Sequence, residues 1–179
     1  MYKDFERVLI SREELQKRIC ELATELDKDY EGKNPLFVCI LKGSVFFTTD
    51  LLKAVTIPCQ IEFMAVSSYG KETKSSGEVK LVKDLNVPIA NRHVVIIEDI
   101  VDSGNTLSYL KRLLMQRNPA SVKIITLLDK PERRKVDLVP EYCGFTIPDE
   151  FVVGYGRDYN EDYRTFDEVY VLKREVYEK

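Results

Sequence analysis

Three acids, Glu98, Asp99 and Asp102, stand where an apolar run, Val94-Val95-Ile96-Ile97, gives way to the small-residue turn Ser103-Gly104-Asn105-Thr106. An apolar helical pattern follows from Leu107. A buried strand ending in carboxylates, then a short loop opening a helix, offers two kinds of binding at once. Backbone N–H groups at a helix start can hold a phosphate. Carboxylates beside them can hold sugar hydroxyls or a hard metal ion. The ordinary reading is a solvated acidic loop that caps a helix, since Asp and Ser favour helix starts. It is weakened because adjacent acids at the mouth of a buried strand repel one another. Receiver domains also place acids at strand ends, but such a fold leaves the Ser-Gly-Asn-Thr turn unexplained.

The elements that must position these residues alternate along the chain. Ser11 and Glu14 have capping-box spacing, and Leu15, Ile19, Leu22 and Leu26 recur at helical spacing, which predicts a helix over 12–28. The run 36–41 is uninterrupted apolar sequence, as in a buried parallel strand. After the Lys42-Gly43-Ser44 turn a second helix is expected over 45–54, then a strand over 60–66. Residues 67–78 are polar and glycine-containing, the composition of a solvated loop. Further strands are expected over 79–82, 94–97 and 122–128, a helix over 106–116, and short late strands at 151–153 and 169–172. Strands alternating with helices predict an α/β fold with a central, mostly parallel sheet flanked by helices. Ligands in such sheets bind beyond the carboxyl ends of the strands. The turn after Leu41, the acids after Ile97 and Asp129-Lys130 after Leu128 share that address.

Composition narrows the function. With 179 residues, 44% hydrophobic and 32% charged, the chain can bury one sizeable core, and a single domain over 1–179 is expected. A net charge of −3 gives no basic surface for nucleic acid. The charged segment 1–7 lacks the apolar run of a signal peptide, and no window reaches the length of a membrane span, so a cytoplasmic protein with no membrane or nucleic-acid partner is expected. Cys20, Cys39, Cys59 and Cys143 form no C-x-x-C pair and read as reduced core fillers.

The phrase from Val94 to Thr106 resembles the phosphoribosyl pyrophosphate (PRPP) loop of the type I phosphoribosyltransferases. Leu41-Lys42-Gly43, Ser67-Ser68-Tyr69, Asp129-Lys130, Phe151 to Gly156, Asp158-Tyr159-Asn160 and Tyr163-Arg164 follow in the order of the hypoxanthine-guanine branch. The resemblance spans roughly residues 5–177. It implies a core over about 35–145 and a small hood over the site from about 1–10 and 146–179. It implies transfer of a phosphoribosyl group from PRPP to a 6-oxopurine (hypoxanthine, guanine or xanthine), with Mg²⁺ as cofactor, in a homodimer or homotetramer.

The same resemblance assigns roles. Glu98 and Asp99 would face the ribose hydroxyls and hold metal, and Asp158 would be a ligand of a second magnesium ion. Asp102, Ser103, Gly104, Asn105 and Thr106 would wrap the 5′-phosphate, with Asp102 also the proton acceptor for the purine N7. Lys42, Gly43 and Arg164 would contact the pyrophosphate, and the peptide before Lys42 can be cis in the family. Lys130 would bind the exocyclic oxygen; as a lone residue it reads as an ordinary surface lysine. Phe151 would stack on the purine and Val152 meet its edge, with Ile100 on the other side and Asp158 adjoining; without the resemblance, Phe151 and Val152 read as core strand. Ser68 and Tyr69 would belong to a closing loop. Two departures stand out. Arg157 replaces a usually apolar residue, and could reach solvent, the purine face or the C2 substituent. The segment 165–168 lacks the usual Asn-Leu-Pro-like sequence. A non-catalytic PRPP-sensing regulator, or a transferase for another base, are the competing functions.

Overall fold

A computed structural model describes residues 2–68 and 79–178. The expected closing loop therefore lies outside the described residues, Tyr69 included; Ser68 is seen as the last residue of a strand. The chain runs β1 (Phe5–Ile10), α1 (Arg12–Tyr30), β2 (Leu36–Leu41), α2 (Val45–Ala54), β3 (Gln60–Ser68), β4 (Val79–Lys83), β5 (His93–Val101), α3 (Asn105–Met115), β6 (Ser121–Asp129), β7 (Tyr142–Thr146), β8 (Val152–Val153), β9 (Val169–Leu172) and α4 (Arg174–Tyr177).

Six strands form the main sheet in the order β4-β3-β2-β5-β6-β7. All neighbours are parallel except the edge strand β4, which returns antiparallel to β3. The chain thus builds outward from β2 on one side and from β5 on the other, so the order reverses between these two strands. Such a switch point is where an open α/β sheet leaves a crevice.

Both faces of the sheet are covered. Leu15, Ile19, Leu22 and Leu26 of α1 and Phe47 and Leu51 of α2 pack with Phe37, Val95, Ile97 and Ile125. Leu107, Leu110 and Leu114 of α3 pack with Leu36, Val38, Val94, Ile96 and Ile124 on the other face. Alternate residues of β5 therefore feed opposite cores, and the strand reads as continuously apolar because neither face meets water. Each buried leucine contributes roughly 1.5–3 kcal/mol. The capping box of α1 is formed: the Glu14 amide donates to Ser11 Oγ at 3.2 Å and the Ser11 amide to Glu14 Oε2 at 2.8 Å.

A second, three-stranded antiparallel sheet, β1-β9-β8, is drawn from both ends of the chain. Phe5 stacks on Tyr170 there at 4.2 Å between ring centroids, and Phe166 meets Phe5 edge-on at 5.0 Å. β1 and β7 carry no strand signal strong enough to stand out in the sequence. β1 exposes three consecutive residues, Glu6 to Val8, of which two are charged. Cys39 is buried and Cys59 and Cys143 half-buried, but Cys20 is exposed on α1 rather than filling the core; all four are free thiols.

Candidate active site

Strand β5 extends four residues past the expected end at Ile97, so Glu98 and Asp99 lie within the strand and not after it. They remain open to ligand because their neighbour leaves. β2 pairs with β5 only from Leu36↔Val94 to Cys39↔Ile97, while β6 follows β5 to Val101↔Asp129. Beyond Ile97, β5 thus has a partner on one side and a crevice on the other.

The turn after β2 closes that crevice at the bottom. The Leu41-Lys42 peptide is cis. Gly43 is pressed so tightly on Asp99 that a Cβ there would lie 2.1 Å from Asp99 Oδ2. From above, Gly156, at φ +95°, rests on the same turn, and its Cβ would lie 2.0 Å from the Gly43 carbonyl oxygen. Glycine at both positions lets backbone and carboxylate meet where any side chain would hold them apart.

The acid pair is buried, with Glu98 9% and Asp99 5% exposed. Burial, then the neighbouring Asp99 charge, pushes the Glu98 carboxyl well above its usual range. Burial also pulls Asp99 upward, but the Arg157 guanidinium and hydrogen bonds from Glu98, Arg157 and the Ile100 amide outweigh it and hold Asp99 low. Asp99 Oδ1 accepts from the Ile100 amide at 2.8 Å and Oδ2 from Arg157 at 3.0 Å. Arg157 turns its guanidinium onto the acid pair, 58 residues away in sequence, while its side chain also lines the cavity beside Lys130 and Phe151.

Asp102, Ser103, Gly104 and Thr106 line a hollow of about 440 Å³ with Glu98 and Asp99. Gly104 is left-handed, at φ +81°, and swings the chain into α3; no side chain caps that helix. The Asn105 amide bonds Ser103 Oγ at 3.3 Å. The first-turn amides of α3 thus front the hollow, as a phosphate requires.

Beside it lies a cavity of about 300 Å³ lined by Asp102, Lys130, Phe151, Val152, Arg157 and Tyr177. Lys130 is no surface lysine: it is 7% exposed. Its Nζ donates to the Glu150 carbonyl at 2.7 Å and lies 3.9 Å from Asp102 and 3.8 Å from Asp149. Burial lowers its pKa, and the two carboxylates oppose that fall. The Phe151 ring stacks on Tyr177 at 4.6 Å and meets Tyr159 edge-on at 5.7 Å. Asp102 Oδ1 is buried with no hydrogen bond; Lys130 Nζ and Arg133 Nε each stand 3.9 Å from it.

A third hollow, of about 640 Å³, runs from Gly43 past Asp99 to Asp158, Glu161 and Arg164. Arg164 Nη1 donates to the Gly156 carbonyl at 2.8 Å and pairs with Asp158 at 3.1 Å. Glu161 bridges Lys42 at 2.9 Å and Arg164 at 3.3 Å. The unusual segment 165–168 still closes its loop, since the Tyr155 amide bonds the Phe166 carbonyl at 2.8 Å. Ile100, 8% exposed, lines the phosphate hollow and joins the core.

Glu161, Asp149 and Tyr177 were not legible as site residues. Glu161 lies between Asp158 and Arg164 in sequence, and that spacing was its one signal. Tyr177 sits at the far end of the chain and had none.

Among the described residues, no group of three metal-binding side chains is assembled. Asp158 is held by Arg164 and by the Glu161 amide at 2.9 Å instead of joining the acid pair. Magnesium uses one or two carboxylates plus substrate phosphates and not a full protein cage. An all-oxygen pair of crowded buried acids fits that role.

The comparisons with known proteins agree with this geometry. The family model "Phosphoribosyl transferase domain" matches residues 11–160. The chain belongs to the phosphoribosyltransferase family. Within it, the chain falls in the hypoxanthine-guanine branch: it is 54% identical to the hypoxanthine-guanine phosphoribosyltransferase of Lactococcus lactis, over 99% of this chain and 96% of that protein. It is also 54% identical to the bifunctional protein TilS/HprT of Listeria monocytogenes, where it spans 27% of the relative's length. A Staphylococcus aureus hypoxanthine phosphoribosyltransferase structure superposes with a TM-score of 0.95 at 49% identity, covering 99% of this chain and 96% of that one. A Trypanosoma cruzi hypoxanthine phosphoribosyltransferase, solved to study how its C-terminal region affects oligomeric state and activity, gives 0.94 at 42%, covering 99% and 96%. No helix among the described residues is long and apolar enough to cross a membrane.

Proposed function

We propose that the protein salvages purines, moving the 5-phosphoribosyl group from PRPP to N9 of hypoxanthine or guanine, and of xanthine as a third substrate, with release of pyrophosphate. The buried, unbonded Asp102 Oδ1 carries this reading. It lies where the phosphate hollow meets the Lys130–Phe151 cavity, with Lys130 and Arg133 at ion-pair but not hydrogen-bond distance, so it is open to a donor on a molecule bridging the two. A purine N7–H is such a donor.

The roles follow from the chemistry of each group. The α3 amides and the Ser103 and Thr106 hydroxyls hold the 5′-phosphate. Glu98 and Asp99 hold the ribose hydroxyls, and Lys42, Gly43 and Arg164 meet the pyrophosphate. Arginine's planar fork suits phosphate oxygens. Phe151 and Ile100 enclose the purine, and Lys130 donates to its O6, which an adenine amino group cannot accept. As N9 bonds to the anomeric carbon and the bond to pyrophosphate breaks, Asp102 accepts the N7 proton as general base. Positive charge develops on the ribose, and the acid pair beneath it is placed to stabilise that charge. Magnesium would neutralise the leaving pyrophosphate, with Glu98 and Asp99 holding one ion and Asp158 a second. Core and hood work as one unit over residues 1–179, in a cytoplasmic homodimer or homotetramer.

The test is pyrophosphate release from PRPP and Mg²⁺ with hypoxanthine, guanine, xanthine or adenine. Turnover is expected with the oxopurines and not with adenine. Asp102→Asn should lose about 10²–10⁴-fold in kcat, the range for a lost general base. PRPP binding without turnover of any base would overturn the transferase reading in favour of a regulatory one.

A further inference from the structure

The acid pair at the end of β5 already has a cation in its midst. Arg157 lies at the junction of the three hollows that make up the site. Its side chain is 25% exposed and that of Asp99, 3.0 Å away, is 8% exposed. Its backbone is fixed: the Arg157 amide donates to the Gly154 carbonyl and the Gly154 amide to the Arg157 carbonyl, both at 3.0 Å. Its Nε is buried without a hydrogen bond, so the guanidinium is held in place by charge and not by a full set of acceptors. Asp102 and Glu98 are the other carboxylates that favour its charge, and Lys130 is a cation that faces it.

The consequence lies in Asp99. Its Oδ1 is taken by the Ile100 amide and its Oδ2 by Arg157. A divalent ion or a ribose hydroxyl approaching Asp99 Oδ2 must share it with the guanidinium or displace it, and at Oδ1 it meets an oxygen already bonded to the Ile100 amide and still beside the same positive charge. Arginine does not deprotonate in a folded protein, so no change of pH relieves the competition.

We propose that Arg157 is a resident counter-ion of the acid pair, competing with a divalent cation for Asp99 and supplying part of the positive charge that an anionic sugar-phosphate needs when no metal is present. The proposal rests on the phosphoribosyl-transfer reading of the site and adds a determinant of its metal demand. A neutral residue at this position then has two effects of opposite sign. The bare acids take a divalent ion more tightly, and the site holds metal-free PRPP more weakly.

The test uses the full chain as wild type, Arg157→Leu, Arg157→Gln and Arg157→Lys. Mn²⁺ binding is read from the electron paramagnetic resonance signal of the free ion, without other ligands. PRPP binding is read by calorimetry in the presence of a chelator. Leu and Gln variants should bind Mn²⁺ about tenfold more tightly and metal-free PRPP about tenfold more weakly, as expected for removing one charge from a partly buried pair. The Lys variant should stay close to wild type. Gln preserves a polar side chain of intermediate size, so the reading does not depend on Leu being tolerated. Unchanged or weaker Mn²⁺ binding, or both ligands shifting in the same direction, overturns the proposal. Failure of the wild type to release pyrophosphate with any base would overturn the transferase reading alone, because Mn²⁺ binding is read without substrate.

Discussion

Lys130 shows how far a single residue's role depends on what surrounds it. Its ammonium sits in a pocket that desolvates it, yet it faces Asp102, Asp149 and the Glu150 carbonyl. That arrangement keeps a donor aimed into the cavity without satisfying it fully. Lys130→Met keeps the length and removes charge and donor. A hydrogen bond to a charged group is worth about 1.5–3 kcal/mol, so KM for the oxopurine should rise roughly 10–150-fold, with PRPP affinity little changed. Steady-state kinetics with base and PRPP varied separately check this; an equal rise in both KM values would place Lys130 elsewhere in the reaction. Glu161 is the complementary case. Its carboxylate holds Lys42 and Arg164 together, in the place that suits an incoming pyrophosphate. These neighbours hold its own pKa below the usual range, the Lys42 hydrogen bond first.

At the scale of elements, contacts remote in sequence fix the walls of the site. The short helix α4 places Tyr177 against Phe151. An aromatic pair contributes about 0.5–1.5 kcal/mol beyond its buried area. Tyr177→Ala should therefore raise KM for the base roughly two- to twelvefold, on the same scale, while PRPP affinity measured by calorimetry stays put. On the far side of the sheet, Arg117, just past α3, grips Asp84, just past β4, through bonds of 2.8 and 2.7 Å. The hydrogen bond from Arg117 holds the Asp84 carboxyl below its usual range, against some desolvation. A lowered folded-state pKa stabilises the protein above the unfolded value, about 3.9, and that stabilisation is lost as pH falls through the folded value. The Tm difference between wild type and Asp84→Asn should thus be constant near neutrality and shrink below about pH 4. A difference that persists into stronger acid would show that the ion pair is not its source.

At the scale of the molecule, the site exists because two sheets meet at one turn. The main sheet opens between β2 and β5, and the smaller sheet seats its Gly154 to Gly156 loop on Gly43. Gly156→Ala sets a methyl against the Gly43 carbonyl and forces an L-residue to φ +95°. Backbone strain of this kind costs about 1–3 kcal/mol, with each kcal/mol worth roughly 2–4 °C in Tm for a chain of this size. Thermal unfolding should show that loss, and PRPP binding should weaken with it because the turn moves with Asp99. Normal PRPP binding in a destabilised variant would show that the two sheets dock independently of the pocket.

The sequence by itself determined the helices α1 and α2, the buried strands β2, β5 and β6, and the strand–acid–loop–helix order from Val94 to Thr106. Each is written in short-range terms: apolar periodicity, a capping box at Ser11 and Glu14, turn residues between runs. β1 and β7 were invisible because β1 alternates poorly and both depend on partners far along the chain. The extension of β5 through its own acids was missed because charge argues against a strand interior, and only a departing β2 makes room for it. Arg157 was readable as unusual but not as the partner of Asp99, since nothing local relates residues 58 positions apart. The tertiary structure decided that contact, the burial of Lys130 and the orphaned oxygen of Asp102, because each depends on which distant segments the fold brings to the same end of the sheet.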